Sequence, residues 1–184
     1  MKHMIIKSVL LISIIVLIVA TSTTQWDKFK ATIGGTSFSV NAGLFKTCVK
    51  DKCTDNTDTN SVGKSLKSCQ GLAISAIVFL SISLVLFSIP SLELKHSQPI
   101  AMGSMLLGII LTIACVSLYA DEIHKPIHKL QNHINDIMKG NISTVNKYSI
   151  TESEGYSYSF YLAIVSILLS SGAASAMIMK EYVK

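Results

Sequence analysis

The residues of this chain with the most specific chemistry are its cysteines, and two of them, Cys48 and Cys53, stand close together. Their spacing, with four residues between them, suits a disulfide across neighbouring strands. If the segment is exported, its environment is oxidising enough to keep such a bond. Two free thiols are the alternative. A zinc site is a weaker interpretation of the cysteine pair, because no second Cys or His pair accompanies them on this segment. Cys69 and Cys115 lie in or beside apolar runs, and we interpret them as packing residues, with lipidation an unsupported alternative.

His124 and His128 are further candidate ligands, with Asp121 close by. The histidines can share a helix face, but a metal site needs more converging ligands, and Pro126 disturbs the geometry. We interpret them as solvated side chains and predict no metal or cofactor. The last three apolar runs contain no charged residue, and such residues in lipid mark transport routes and intramembrane chemistry. We therefore expect neither an enzyme nor a self-contained transporter.

The composition is that of an integral membrane protein. Of 184 residues, 49% are hydrophobic and 15% are charged, and the mean hydropathy is positive. The formal net charge is +5, and every basic residue is Lys. Because the Lys residues are scattered over loops and the bidentate guanidinium fork is missing, nucleic acid is not an expected partner.

Four apolar stretches have the roughly 20 residues that a bilayer core requires of a helix. They predict one four-helix membrane domain over residues 1–184, with spans at about 4–21, 68–89, 99–120 and 157–179. The first stretch is alternatively a cleaved secretory signal, since Lys2 and Lys7 resemble its basic start. Cleavage would leave three spans, with the termini on opposite sides of the membrane.

In a four-span topology, the two long loops, 22–67 and 121–156, lie on the same side of the membrane. The lysine count alone places the first loop inside. Three observations favour the outside: Lys2 and Lys7 flank the first span tightly, the loop holds paired cysteines, and Asn141 begins a glycosylation acceptor in the other loop. We therefore predict a multi-pass glycoprotein of the plasma membrane with cytoplasmic termini.

Small residues recur at four-residue spacing in the third and fourth spans, where they let helix backbones approach in lipid. We interpret them as seams within the bundle, with a dimerisation face as the alternative. The residues are Ser104, Gly108 and Thr112, then Ser166, Ser170 and Ala174, beside Gly172 and Ala176.

The first loop has the pattern of a small antiparallel sheet. Phe38 and Val40 alternate with polar residues, while Gly34-Gly35 and residues 41–43 supply turn chemistry. Trp26 gives an apolar face near the membrane boundary. We expect this sheet to rest on the outer ends of the helices.

Trp26, then Gly43-Leu44-Phe45, then Cys48 and Cys53 form an ordered set that resembles the claudin superfamily, which includes the peripheral myelin and epithelial membrane proteins. That family's first extracellular loop carries a Trp, then Gly-Leu-Trp, then two Cys; Phe45 stands where Trp is commoner. The tyrosine-rich segment 155–160 looks like the entry to the fourth span in the myelin and epithelial membrane branch. The resemblance implies a four-helix bundle with a small extracellular sheet.

Three features depart from the claudin pattern. The two cysteines are closer together than is typical, and the entry to the second span, residues 66–70, lacks the Arg that many claudins have there. Lys184 follows Tyr182-Val183, whereas scaffold domains capture a terminal Tyr-Val carboxylate. We therefore expect the chain to be closer to the short-tailed myelin and epithelial membrane branch than to the junctional claudins.

The second loop has helical period in part, because apolar residues recur at steps of three and four. We expect the third helix to continue outward, bent near Pro126, as an amphipathic arm that carries Ile127, Leu130 and Ile134. Packing of this stripe on the first-loop sheet is the favoured interpretation. A partner-binding surface is the alternative.

Two functions fit this pattern, and both involve the bilayer and other membrane proteins or further copies of the chain as partners. In the first, the protein is an accessory or organising subunit of lateral membrane complexes, which the short tail and tyrosine-rich entry favour. In the second, it is a cell-contact or barrier protein assembling through its sheet. Lys46, Lys50 and Lys52 would then form a basic surface that favours anions.

Overall fold

The computed structural model describes residues 2–33, 36–49, 52–56, 64–88, 97–140 and 148–182. Within these ranges the chain forms four helices and one five-stranded sheet. The helices are α1 (Lys2–Ser22), α2 (Lys64–Ser88), α3 (Ser97–Gly140) and α4 (Tyr158–Tyr182). The strands are β1 (Asp27–Ile33), β2 (Thr36–Ala42), β3 (Lys46–Val49), β4 (Lys52–Asp55) and β5 (Tyr148–Tyr156).

Each helix contains a stretch long and apolar enough to cross a membrane. The stretches are Met4–Ser22, Leu66–Ser88, Pro99–Asp121 and Tyr158–Met179. Large apolar side chains remain exposed along all four, as expected of helices that face lipid. The predicted fold class, a four-helix membrane bundle with a small antiparallel sheet, is confirmed.

The helices pack chiefly as two pairs, α2 with α3 and α1 with α4. Two buried clusters fill the bundle at different levels. One lies along the helices and includes Leu10, Leu17, Leu80 and Met105. The other is continuous with the sheet, because it combines helix residues with Trp26 of the segment that leads into β1.

The small-residue seams predicted from the sequence lie largely between helices of the same bundle. A Cβ added at Gly108 would stand 2.8 Å from Cγ of Leu80, so the glycine lets α3 approach α2 closely. Ser166 and Ser170 are buried and about 1% exposed. Gly172 differs, because it is exposed and a Cβ there would meet nothing within 4 Å.

The sheet is antiparallel, with the strand order β4-β3-β2-β1-β5. The first four strands come from the loop that the sequence predicts to be a sheet. The fifth comes from the second loop and pairs with β1, an addition that the sequence pattern does not predict. Its register with β1 shifts twice, and Gly155 near its end has a φ of 84°.

The sheet sits at the end of the bundle where α1 ends and α4 begins. Backbone hydrogen bonds fix it there: the N–H of Ser157 donates to the carbonyl of Trp26 at 3.0 Å, and that of Ser159 to Gln25 at 3.1 Å. The N–H of Trp26 donates to Ala42 of β2, also at 3.0 Å. The short connection between α1 and β1 is therefore tied to both the sheet and α4.

Candidate functional site

Trp26 is the centre of the contact between the sheet and the bundle. It lies between the last residue of α1 and the first of β1, and only 1% of it is exposed. The indole Nε1 donates to the carbonyl of Ala20 at 2.6 Å, which satisfies the polar end of a buried ring. Its rings lie 4.7 Å from Tyr119 on α3 and 6.2 Å from Phe160 on α4, centroid to centroid. One side chain thus joins the first strand to three helices.

The turn after β2 places a second apolar residue, Leu44, beside this centre, and its side chain is fully buried. Gly43 precedes it, and its N–H donates to the carbonyl of Lys46 at 2.8 Å. A Cβ on Gly43 would stand 2.6 Å from Cα of Thr24 and 2.7 Å from the carbonyl oxygen of Thr23. Because both neighbours are backbone atoms, this position requires glycine unless the chain shifts.

Two buried amides hold the same turn from opposite sides. Asn56, just after β4, donates its Nδ2 to the carbonyl of Gly43 at 3.0 Å and accepts a hydrogen bond from Thr47 Oγ1 at 2.9 Å. Gln70 of α2 donates its Nε2 to the carbonyl of Leu44 at 2.9 Å. The sequence pattern predicts no role for either amide. Their only sequence signal is a polar residue beside the cysteine hairpin and another at the entry to an apolar helix.

We call these residues the junction: Trp26, Gly43, Leu44, Asn56, Gln70, Tyr119 and Phe160. It combines buried apolar side chains with side-chain hydrogen bonds to the carbonyls of Gly43 and Leu44. Phe45, the fourth residue of the family motif, is half-buried and packs at the edge of the same cluster. The junction is built to hold the sheet in one position on the helices.

The cysteine pair closes the hairpin at the other edge of the sheet. Cys48 of β3 lies directly opposite Cys53 of β4, and their sulfur atoms are bonded at 2.02 Å. The predicted disulfide is confirmed, and the free-thiol alternative is wrong. Cys48 is buried, whereas Cys53 is exposed, so the bond lies at the surface of the hairpin.

The basic surface proposed around this hairpin is less uniform than the sequence suggests. The Nζ of Lys46 lies 3.5 Å from the carboxylate of Asp55, and more than half of each side chain is exposed. An exposed pair of this kind contributes at most about 1 kcal/mol, but it offsets the local positive charge. Lys52 is a residue of β4, and Lys50 lies outside the described residues.

A buried carboxylate, which the sequence pattern does not predict, stands at the start of β1. Asp27 is 3% exposed, and its Oδ1 accepts a hydrogen bond from the N–H of Lys28 at 2.8 Å. Asp27 pairs with Tyr156 across β1 and β5. Desolvation raises the pKa of the Tyr156 phenol, and the charge of Asp27 and the neighbouring Tyr161 raise it further. The phenol therefore stays neutral near Asp27 at physiological pH.

The predicted helical arm beyond the third span is present. Ile127, Leu130 and Ile134 all lie in α3, which continues from the span through Pro126 to Gly140. The contacts of their side chains lie outside what the structure describes, and so does Asn141. Among the described residues, no three His, Cys, Asp or Glu side chains are grouped to hold a metal ion.

Comparison with known proteins finds a matching family model. The model of the PMP-22/EMP/MP20/Claudin family matches residues 2–173, which is nearly the whole chain. No curated protein matches it. The matched range contains the four candidate spans up to the last part of α4, the whole sheet and every residue of the junction.

Proposed function

Since the chain belongs to the PMP-22/EMP/MP20/Claudin family, we propose that it acts as an accessory or organising subunit in lateral complexes of membrane proteins. In this role it binds a neighbouring membrane protein in the same bilayer and fixes that protein's position. The sheet and the outer part of α3 supply the surface outside the lipid, and the lipid-facing helices supply the surface within it.

The observation that carries this proposal is the length of α3. The helix has 44 residues, of which 23 form the candidate span Pro99–Asp121. The remainder, from residue 122 to Gly140, is nearly as long as the span and continues it beyond the bilayer. Such an extension gives a neighbouring protein a helical surface beside the bundle, and the apolar period of Ile127, Leu130 and Ile134 is that of a helix-binding stripe.

The edges of the sheet also favour lateral binding over assembly strand to strand. β4, at one edge, has only four residues. β5, at the other, is interrupted by two register shifts in its pairing with β1 and by the positive φ of Gly155. Short and irregular edge strands are poor templates for pairing with another chain.

The buried polar groups within the spans support a binding role rather than transport. Among the described residues they are neutral side chains, and each has a hydrogen-bond partner within the protein. They are the amide of Gln70 and the hydroxyl groups of Ser13, Thr21, Ser83, Thr112, Ser159, Ser166 and Ser170. Ion and proton routes in membranes use ionisable side chains that face a cavity, whereas these neutral groups are bonded within the fold.

We further propose that the sheet faces the cell exterior and that both termini are cytoplasmic. The disulfide Cys48–Cys53 supports this orientation, because such bonds persist in exported segments and are rare in the cytosol. The glycosylation proposed at Asn141 belongs to the same side. Together these features fit a multi-pass protein of the plasma membrane.

A pair of matched variants tests the lateral role against adhesion through the sheet. The triple substitution Ile127→Asp, Leu130→Asp and Ile134→Asp removes the apolar stripe of the arm. The control, Lys46→Gln with Asp55→Asn, alters the exposed ion pair of the hairpin and keeps its net charge. Each variant is expressed in cells, its complexes are cross-linked in the intact membrane, and the products are resolved by native electrophoresis. Enrichment of the protein at contacts between mixed cells is scored separately.

The lateral role predicts that the cross-linked complex is lost in the triple variant and kept in the control, with no enrichment of the wild-type protein at cell contacts. Enrichment at cell contacts that survives in the triple variant would favour the alternative, a contact or barrier protein. A wild-type chain that migrates without any stoichiometric partner contradicts the proposal.

A further inference from the structure

Two buried thiols face each other directly below the junction. Cys69 of α2 and Cys115 of α3 are 0% and 2% exposed. The thiol of Cys115 donates to the carbonyl of Cys69, with 3.3 Å between sulfur and oxygen, and the thiol of Cys69 donates to the carbonyl of Cys115 at 3.6 Å. Each sulfur thus reaches the backbone of the other residue across the α2–α3 contact.

The junction covers this pair from the side of the sheet. Both cysteines belong to the same buried cluster as Trp26 and Leu44. Gln70, the residue after Cys69, donates to the carbonyl of Leu44. Tyr119, one helical turn beyond Cys115, packs against the indole of Trp26. Access to the thiols from the outer side therefore depends on the sheet remaining docked.

Two adjacent thiols can be joined by a mild oxidant such as hydrogen peroxide. The first thiol, as its thiolate, attacks a peroxide oxygen, breaks the O–O bond and becomes a sulfenic acid with release of one water. The second thiol then attacks that sulfur, forms the S–S bond and releases the second water. Two electrons leave the sulfur pair and reduce the peroxide. The thiolate forms only where water reaches the sulfur, so a closed junction slows the first step.

We propose that Cys69 and Cys115 form an oxidation site, which hydrogen peroxide converts into a disulfide between α2 and α3 at a rate limited by the docking of the sheet. Rotation of each side chain about χ1 turns its sulfur from the opposite carbonyl toward the other sulfur. The product links two helices beneath the junction. It is separate from Cys48–Cys53, which is already closed and lies in the hairpin.

The test uses the full chain in lipid nanodiscs, treated with hydrogen peroxide and then with a thiol-alkylating reagent. Peptide mapping by mass spectrometry under non-reducing conditions identifies which cysteines are joined. We expect a peptide that links residues 69 and 115 within one chain. Cys115→Ser is expected to abolish it and to leave Cys69 alkylated.

The dependence of disulfide formation on sheet docking is measured with two cover variants, which are substitutions of junction residues that cover the thiols. Trp26→Ala is expected to accelerate formation of the link on the order of tenfold, because it raises the population in which the sheet is undocked. Leu44→Val, a milder truncation, is expected to give a smaller acceleration in a chain that folds. Tyr161→Ala is the control, since Tyr161 is an exposed aromatic residue on the same helix turn as Phe160.

The intact Cys48–Cys53 peptide in each map shows that the variant has folded its hairpin. A link between residues 69 and 115 that forms equally fast in the wild type and in both cover variants would overturn the docking dependence. Oxidation of the two thiols singly, a link between two chains, or unreacted thiols even in the cover variants would overturn the oxidation site.

Discussion

The junction holds the sheet on the bundle, whereas the contact between α1 and α4 joins two helices within it, and the two contacts use different side chains. At the junction, large side chains such as Trp26 and Leu44 are fully enclosed. Between α1 and α4, Ser13 lies against Ser166 with 3.0 Å between their hydroxyl oxygens. Each of these serines also donates to the other's carbonyl, at 2.8 and 2.9 Å. The junction buries large apolar side chains, whereas the α1–α4 contact brings two small polar residues close together.

The difference follows from the surroundings of each contact. An undocked sheet outside the lipid would expose the indole to water, so burying the indole removes apolar surface from water and stabilises docking. Within the lipid, hydrocarbon solvates apolar side chains as well as a neighbouring helix does. Helices there associate through close packing and short hydrogen bonds, which small residues permit. The chain therefore buries large side chains where the sheet meets the bundle, and it brings the small residues Ser13 and Ser166 together where α1 and α4 approach closely.

The largest effect is expected from Trp26→Ala, which tests whether large buried side chains hold the sheet on the bundle. The substitution removes a fully enclosed ring and its hydrogen bond to Ala20, and we expect it to lower the free energy of unfolding by about 3–5 kcal/mol. Trypsin should then cleave the lysines of the sheet faster than in the wild type. Tyr161→Ala is the matched control, because Tyr161 is 56% exposed. Equal cleavage rates in both variants would contradict the role of Trp26.

Gly43→Ala tests the close backbone contact at the turn rather than the buried apolar side chains. The new Cβ would meet backbone atoms of Thr23 and Thr24, so we expect a loss of about 1–3 kcal/mol from the shift that it forces. Trp26 is the only tryptophan of the chain, and its fluorescence should move to longer wavelength as the sheet loosens. The control is Gly71→Ala, where a Cβ meets nothing within 4 Å. An unshifted spectrum in the Gly43 variant would show that the turn tolerates the methyl group.

Replacing Cys48 and Cys53 together by Ser tests the hairpin edge. The bond closes a short loop, so the entropy model gives a loss of about 2 kcal/mol. Unfolding by SDS titration should show this loss, and reduction of the wild type should reproduce it. We expect the wavelength of the Trp26 fluorescence to stay unchanged, since neither cysteine belongs to the buried cluster around Trp26. A shifted spectrum would mean that the hairpin and the junction are coupled.

The smallest effect is expected in the lipid. Ser13→Ala with Ser166→Ala removes the reciprocal hydrogen bonds, and hydrogen bonds between membrane helices contribute about 0.6 kcal/mol on average. SDS titration should therefore find a loss well below that of Trp26→Ala. Ser175→Ala is the control, because Ser175 is exposed and bonds only along its own helix. A loss as large as that of the tryptophan variant would reverse the comparison.

The sequence is sufficient to predict the fold class and the disulfide, because both depend on local signals. Apolar runs of membrane length predict the helices, and two cysteines near a turn predict the hairpin bond. The motif from Trp26 to Cys53 also marks the right segment. What that motif cannot show is that Trp26 packs on Tyr119 and Phe160, which are brought to it only by the assembled bundle.

The remaining features of the junction are non-local as well. β5 pairs with β1 although more than a hundred residues separate them, and its two register shifts and Gly155 break the alternation that identifies a strand. Asn56 and Gln70 look like ordinary polar residues until the turn at Gly43 and Leu44 lies between them. The burial of Asp27 likewise depends on the sheet resting on the helices.

Hydrogen–deuterium exchange of the wild type and Trp26→Ala in nanodiscs tests most directly whether the junction holds the sheet on the bundle. The account predicts that the amides of β1 and β2 are protected in the wild type and exchange much faster in the variant. Amides around Ser13 and Ser166 should keep their protection in both. A sheet that exchanges freely in the wild type, or helices that lose protection together with the sheet, would contradict it.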